Sequence, residues 1–430
     1  MSSARVPQGG GQDRRVLLLL TDFYPYEVGE EFLEQEIEIL CRAFDEVVVV
    51  PVRLSQGARQ TRALPANARC ALLPASRLPD WRAQALIRAP QILLGRERMI
   101  DTPPWRSFGR FGMDVRFAAI ALSARARMRR LLPSLGLEGA EVTVYSYWFF
   151  TGAALGGMLR RHELAGQRVR VVARAHAYDV DEADAPRGYV PSRRFVMEAV
   201  DRVYPISEYA AGFLRRRFPQ AGDRIEVRRL GVPASEPRPR RHTEPFALVS
   251  CSHMAPYKRV GLILQAVAEL ERRGRRVTWT HIGEADAARL AAMRQRARRE
   301  LGTTPVTFTG HMSNSEVRHL YSSSDFSCFL NCSDGEGVPV SVMEAQAAAL
   351  PVVATAAGGT GEIVHDGVNG RLVPVEVTAG QVADAIESVM DLDPREYTRM
   401  SEAARASWAR MSDAGRQYRE FVQALVALWE

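Results

Sequence analysis

Two carboxylates, an ammonium and an imidazole stand at positions where their types and spacing could do chemistry. Glu336 and Glu344 lie in the stretch NCSDGEGVPVSVMEAQ, residues 331–346. A short apolar strand ends there, a glycine loop follows, and a helix opens with Pro339 expected near its first position, where a missing N–H costs nothing. The amides around Val340 and Ser341 then have no intrahelical partner, and a helix N-terminus behind glycine suits an anion such as a diphosphate. Glu336 sits at the lip of the loop and Glu344 about a turn and a half inside the helix. One carboxylate can reach a sugar hydroxyl beside the phosphates while the other accepts from a ribose.

The ammonium belongs to Lys258. Among 57 lysine and arginine residues it is the one lysine. An ammonium is a compact point charge that fits between two phosphates, whereas guanidinium is a wide planar fork. A chain that writes every other cation as arginine and keeps this one therefore points to a site that the fork cannot fill. The imidazole is His176, at the end of the strand-like run VRVVARAH, and sheet C-terminal ends are where ligands bind.

These groups need a scaffold. A chain of 430 residues exceeds the size of a single core, so two domains are expected. RVLLLLT at 15–21 and EVVVVPV at 46–52 read as buried strands, with the helical pattern EEFLEQEIEILCRAF between them. VTVYSY, VRVVAR and VYPI continue the alternation. After the proline- and arginine-rich break GVPASEPRPRRHTEP the pattern restarts with FALVSC, VTWTHIG, VTFTG, DFSCFL and LPVVAT, each with a helix behind it. Ser313 and Glu316 form a capping-box signature. The α/β alternation implies two Rossmann-like domains with parallel sheets facing each other across a cleft. The expected division is a tail at 1–14, a first domain at 15–232 joined by a C-terminal helix at 413–430, a linker at 233–244, and a second domain at 245–412.

At this point the sequence resembles a known family. The 331–374 segment looks like the E-x7-E signature of retaining GT-B glycosyltransferases of family 4, with Glu336 and Glu344 as the two glutamates and GGTGEIVHDGVNGRLV as the following segment. FYPYEVGEEFLEQEI and RAHAYDVD are similar to segments of bacterial capsule and exopolysaccharide members, while residues 54–140 carry no match. The resemblance implies a nucleoside diphosphate sugar held by the second domain and an acceptor, a sugar or lipid-linked sugar, bound by the first. It implies that Glu336 binds the donor sugar, Glu344 the ribose and Lys258 the diphosphate, with His176 beside the reaction centre. Gly29 falls where the family's first loop approaches the phosphates. Gly337, Val338, Pro339, Val340 and Ser341 form the donor loop, with His311 in GHMSN on the same side. Glu30 and Asp179 fall on the acceptor side. One departure stands out: the family places an arginine five residues before the lysine, and here that residue is His253. Either another arginine substitutes, or phosphate binding weakens as pH rises past roughly 6.5.

The expected reaction is glycosyl transfer with retention, the leaving phosphate being stabilised by Lys258 and the helix amides and taking the acceptor proton on the same face. No cofactor and no metal are expected. DVDEAD at 179–184 has the D-x-D form of a metal site, but no diphosphate loop accompanies it, so an acidic surface loop is the better reading. GGTG lacks the spacing of a dinucleotide fingerprint. A nucleotide-sugar 2-epimerase of the same architecture and a silent nucleotide-sugar-binding partner are the alternatives.

The net charge of +7 is spread over scattered arginines without interleaved aromatics, which excludes a nucleic-acid module. Five cysteines without ligand spacing fit reduced thiols, and MSSARVPQGGGQDRR has no apolar signal core, so the expected location is cytoplasmic. In RFAAIALSARARMRRLL at 116–132, Phe117, Ile120, Ala121, Ala124, Met128 and Leu131 share a helical face flanked by arginines, a pattern that fits either an anionic membrane surface or a helix packed on the first domain.

Overall fold

The computed structural model describes residues 14–430 except 27–28, 55–57, 79, 177, 183–184, 237–239, 241 and 284–285. Two six-stranded sheets organise the described residues. The first contains β1 (Arg15–Thr21), β2 (Glu46–Pro51), β3 (Ala68–Cys70), β4 (Glu141–Ser146), β5 (Val169–Ala175) and β6 (Arg202–Pro205), in the order β3-β2-β1-β4-β5-β6. The second contains β7 (Phe246–Cys251), β8 (Val277–Ile282), β9 (Val306–Phe308), β10 (Cys328–Asn331), β11 (Val352–Thr355) and β12 (Gly370–Val373), in the order β12-β11-β10-β7-β8-β9. Among the described residues the strands pair parallel in both sheets, with Leu18 beside Val48 and Val144, and Leu330 beside Val353. Parallel sheets bury both faces, and the central strands RVLLLLT and EVVVVP are accordingly apolar from Val16 to Leu20 and from Val47 to Val50, with Val16 to Leu19 fully buried.

Contacts group the chain into one unit of 1–175, 186–204 and 422–430 and another of 176–185 and 205–421. The expected boundary at 232 lies later because composition locates a proline-rich break and not packing. The helix Glu208–Arg217 goes with the second unit: the amides of Glu208 and Tyr209 donate to the Glu362 carboxylate at its start, at 3.1 and 2.8 Å. Within the stretch expected to be a linker, Arg240 is tied down. It is buried and donates to the carbonyls of Ala348, Ser324 and Tyr321. At the C-terminus the division falls within the helix Ala414–Val426, and the first unit holds the last residues through Trp429 Nε1 on Thr143 and Arg170 on the Leu428 carbonyl.

The helix Phe108–Leu131 covers the run with the expected amphipathic face. Phe117, Ala121, Ala124 and Met128 are buried, the ring of Phe117 meeting Phe150 edge-on at 5.5 Å. Most of this face packs on protein, while Ile120 is 37% exposed. Its flanking arginines are engaged too, Arg125 with Glu163 at 3.0 Å and Arg127 with the Pro74 carbonyl at 2.7 Å. No described helix is long and apolar enough to cross a membrane.

Candidate active site

In the second unit, β10 ends at Asn331 and the chain turns through the glycine loop into the helix Val340–Ala347. Pro339 is the N-cap of this helix and not its first residue, one step earlier than expected. The first intrahelical bonds run from Val342 and Met343 N to the Pro339 carbonyl, so the amides of Val340 and Ser341 precede the hydrogen-bonded ladder. Val338 turns its side chain into the core, which leaves its backbone as the part that a ligand could meet.

Lys258 and Glu336 come together. Lys258 Nζ donates to Glu336 Oε1 at 2.7 Å, with side chains only 14% and 8% exposed, and Asn331 Nδ2 donates to the same oxygen at 3.3 Å. Lys258 closes a short turn, Pro256–Lys258, and the next residue, Arg259, takes a left-handed conformation before the helix Val260–Arg272. Arg259 then reaches across to the carbonyls of Cys332, Ser333 and Val375. That arginine pins the loop carrying Glu336 to the one carrying Lys258. Sequence reasoning passed over it because one arginine among so many carries no signal.

GGTG has a structural use in the same place. A Cβ on Gly358 would lie 1.6 Å from the Glu336 carbonyl, and one on Gly359 would lie 2.3 Å from the Gly337 carbonyl. Gly358 also has φ +53, and Gly359 N donates to Gly337 O at 2.8 Å. The two glycines let this turn lie directly against the glutamate loop.

Glu344 is buried, and Arg318 Nη1 approaches its Oε1 at 3.4 Å. Burial pushes its carboxyl up to about 7, against the pull of Arg318. Cys251, at the end of β7, feels both sides of this site: burial first and then Glu344 push its thiol up to about 12, while Lys258 opposes them. Its raised value leaves it a thiol and not a nucleophile.

His253 is exposed, with its ring 5.8 Å from that of Tyr257 and Nε2 3.3 Å from the Tyr257 hydroxyl. Arg289 reaches the same loop, donating to the Met254 carbonyl at 3.1 Å. His311 is exposed, next to Gly310, which pairs with Gly283.

His176 and Asp179 form a local unit at the end of β5. His176 N donates to Asp179 Oδ1 at 2.6 Å, and Nδ1 lies 3.7 Å from Oδ2. Asp181 accepts from the Tyr209 hydroxyl at 2.9 Å. Both aspartates of the D-x-D are thus engaged within the fold, Asp179 fully buried on the His176 amide and Asp181 on the Tyr209 hydroxyl. Residues 183–184 of DVDEAD lie outside the described residues. Among the described residues no three His, Cys, Asp or Glu side chains gather as a metal site would require.

In the first unit, Gly29 has φ +103 with open space where a Cβ would stand. Glu30 departs from expectation. Its carboxylate is buried and accepts from the amides of Asp22, Phe23 and Tyr24 and from Trp148 Nε1, all at 2.8 to 2.9 Å. With those bonds it holds the loop after β1 in shape and is not available to an acceptor. The same unit holds a fully buried triad that the sequence did not disclose: Arg174 donates to Tyr145 Oη at 2.9 Å and to Glu36 at 3.2 Å, and Tyr145 donates to Glu36 at 2.8 Å.

Two parallel α/β sheets of this order define the GT-B class of architecture. HepE of Anabaena, solved in complex with UDP, superposes with a TM-score of 0.62 over 96% of this chain and 100% of its own, at 15% identity. The family described as Glycosyl transferases group 1 matches residues 233–407, which include every second-unit residue of the site from His253 to Glu344. The WcaL protein of Escherichia coli, named for colanic acid biosynthesis, is 26% identical over 252 residues, 56% of this chain and 61% of that protein. The chain thus spans less than two thirds of WcaL. A GDP-mannose-dependent phosphatidylinositol monomannoside mannosyltransferase of Mycolicibacterium smegmatis is 31% identical over 310 residues, 66% of this chain and 75% of that enzyme. The chain belongs to the group 1 glycosyltransferases.

Proposed function

We propose that the chain transfers a glycosyl group from a nucleoside diphosphate sugar to an acceptor hydroxyl, with retention of configuration and without a metal, in the building of a bacterial polysaccharide or glycoconjugate. The observation that carries this reading is the Lys258–Glu336 pair at 2.7 Å beside a helix whose leading amides are unused by its ladder. The leaving diphosphate needs positive charge that does not have to reorganise as the bond breaks. Lys258 supplies a fixed ammonium, and Val340 and Ser341 supply backbone donors. Glu336 takes Lys258 and Asn331 on one oxygen, which turns the other toward a sugar hydroxyl. Glu344 accepts from the ribose. The departing phosphate takes the acceptor proton on the face that it leaves, with His176 beside the reacting carbon. Arg289, already at the loop of His253, supplies the second cation that the family arginine would give.

The name of WcaL supports a polysaccharide setting, and the UDP held by HepE supports a nucleotide donor. The test is incubation of the purified protein with a panel of nucleotide sugars and candidate acceptors in EDTA, read by proton NMR at the anomeric position. The expected outcome is a product of the donor's own anomeric configuration. An inverted product, or turnover that requires added magnesium or manganese, overturns the mechanism, and a free epimerised sugar nucleotide made without acceptor replaces it with an epimerase.

A further inference from the structure

The short turn Gly358–Glu362 is tied at both ends, and the two ends lead to different parts of the site. At its start, Gly358 and Gly359 lie against the backbone of Glu336 and Gly337, with Gly359 N on the Gly337 carbonyl at 2.8 Å. Just past its end, the Ile363 carbonyl accepts from Gln346 Nε2 at 2.8 Å, and Gln346 belongs to the helix Val340–Ala347. The glutamate loop and the helix that follows it are therefore both backed by this turn.

Glu362 carries the connection in another direction. Its carboxylate pairs with Arg229 at 2.6 Å and takes the leading amides of the helix Glu208–Arg217, from Glu208 at 3.1 Å and Tyr209 at 2.8 Å. Those amides have no intrahelical carbonyl to bond, so the carboxylate answers both the unmet donors and the positive end of the helix. Tyr209 then continues the path. Its hydroxyl donates to Asp181 at 2.9 Å, and its ring meets Phe213 edge-on at 5.0 Å. Asp181 is buried two residues after Asp179, whose carboxylate accepts from the His176 amide at 2.6 Å. A run of polar contacts thus leads from the Glu336 loop through Gly358–Glu362 and Tyr209 to the segment of His176. All of it lies within the second unit, which includes 176–185.

We infer that Tyr209 and Glu362 are positioning residues that hold His176 in register with the Glu336 loop. The inference rests on the transferase reading above, in which His176 stands beside the reacting carbon and Glu336 holds the donor sugar. Tyr209 is the link that joins the two sides, since its backbone amide is held by Glu362 while its hydroxyl holds Asp181. Two groups that act on one sugar must keep their spacing, and a displacement of ~1 Å is enough to cost about a hundredfold in rate. A role confined to stability would instead lower the melting temperature and leave the kinetic constants alone.

The test combines steady-state kinetics with proton NMR of the histidine rings in the full chain. Tyr209→Phe removes one hydroxyl and keeps the ring on Phe213. It should lower kcat by about tenfold while KM for the donor stays within about twofold, because Lys258 and the helix amides are untouched. Glu362→Gln, at the end of the turn itself, should lower kcat and raise the donor KM together. The His176 ring resonance, assigned by its loss in His176→Gln, should move in both variants although neither substitution lies on its segment. Asp181→Asn keeps an oxygen for the Tyr209 hydroxyl and should be the milder change. Melting curves confirm folding, and Glu362→Gln carries both readouts if Tyr209→Phe does not fold. When the parent turns over, variants that keep kcat within about twofold, or that leave the ring resonance in place, overturn the inference. A parent without transfer from any donor overturns the transferase reading, and the ring resonance then decides the positioning by itself.

Discussion

Lys258 Nζ lies 2.7 Å from Glu336 Oε1, so the one lysine of the chain and the first glutamate of the E-x7-E stretch are joined directly. The pair sits at the meeting of two loops, one held by the turn Pro256–Lys258 and the other by Arg259 and Asn331. Two largely buried opposite charges hold each other in register, so on the proposed reading a diphosphate beside Lys258 would meet an ammonium whose position is fixed beforehand.

Shape should therefore count as much as charge at this position. Lys258→Arg keeps the charge but replaces a point donor with a longer planar fork. If the fork shifts the diphosphate by ~1 Å, a loss of about a hundredfold is expected, most of it in kcat because the contact strengthens as charge builds on the leaving group. Lys258→Ala should be comparable or worse. Steady-state kinetics decides: an arginine variant within about twofold of the parent, only ~0.4 kcal/mol, would mean that the lone lysine reflects codon usage.

Gly358→Ala should damage the site without unfolding the protein. The added methyl meets the Glu336 carbonyl at 1.6 Å, and neither that backbone nor a residue at φ +53 can yield cheaply. The glutamate loop should move, and KM for the donor should rise by tenfold or more while far-ultraviolet circular dichroism is unchanged. An unaltered KM would mean that the loop is more compliant than its packing implies.

How much of this could be read from residues alone depended on where the information lay. Central strands such as Val16–Leu20 and Val47–Val50 were legible because burial on both faces demands unbroken apolar runs. The edge strands β3 and β12 were not, since Ala68–Cys70 and Gly370–Val373 are short, half-exposed and interrupted by arginine. Glu336, Glu344 and Lys258 stood out as candidates through type and spacing, and the structure joins two of them, Lys258 and Glu336. Arg259, Gly358 and the Glu36–Arg174 pair did not, because their meaning is a contact made across the fold, 138 residues apart in the last case. Glu30 was placed on the acceptor side because its position lies in a motif, and only the four donors around it reveal that the carboxylate is consumed by its own loop.

The buried triad should be costly to break. Arg174→Met leaves the Glu36 carboxylate fully buried without its cation, a change worth about 3–5 kcal/mol, whereas replacing both partners with apolar residues should recover most of the loss. Urea denaturation of the single and double variants measures this. Equal stability of Arg174→Met and the parent would show that Tyr145 alone satisfies the carboxylate.

Glu344 gives stability a pH signature. Its carboxyl is raised from the ordinary 4.5 to about 7, so the folded state favours the neutral acid. The contribution is fully present below 4.5 and is lost as pH rises through 7, by at most about 3 kcal/mol. Glu344→Gln keeps the neutral form at every pH, so it should flatten that part of the profile and be at least as stable as the parent at pH 8. Denaturation midpoints from pH 4 to 8 provide the check, and a glutamine variant with an unchanged slope would place the titration elsewhere.

The central claim is that the second unit holds a nucleoside diphosphate sugar at Lys258 and the opening of the helix Val340–Ala347. Thermal melting of the parent and of Lys258→Ala against a panel of nucleotide sugars tests it most directly, since a ligand at about 100 times its Kd stabilises the folded state by ~2.7 kcal/mol. The account predicts that at least one nucleotide sugar raises the parent's Tm, that the matching nucleoside diphosphate does so as well, and that both shifts disappear in Lys258→Ala. A panel with no stabilising member, or shifts that persist undiminished without the lysine, would contradict it.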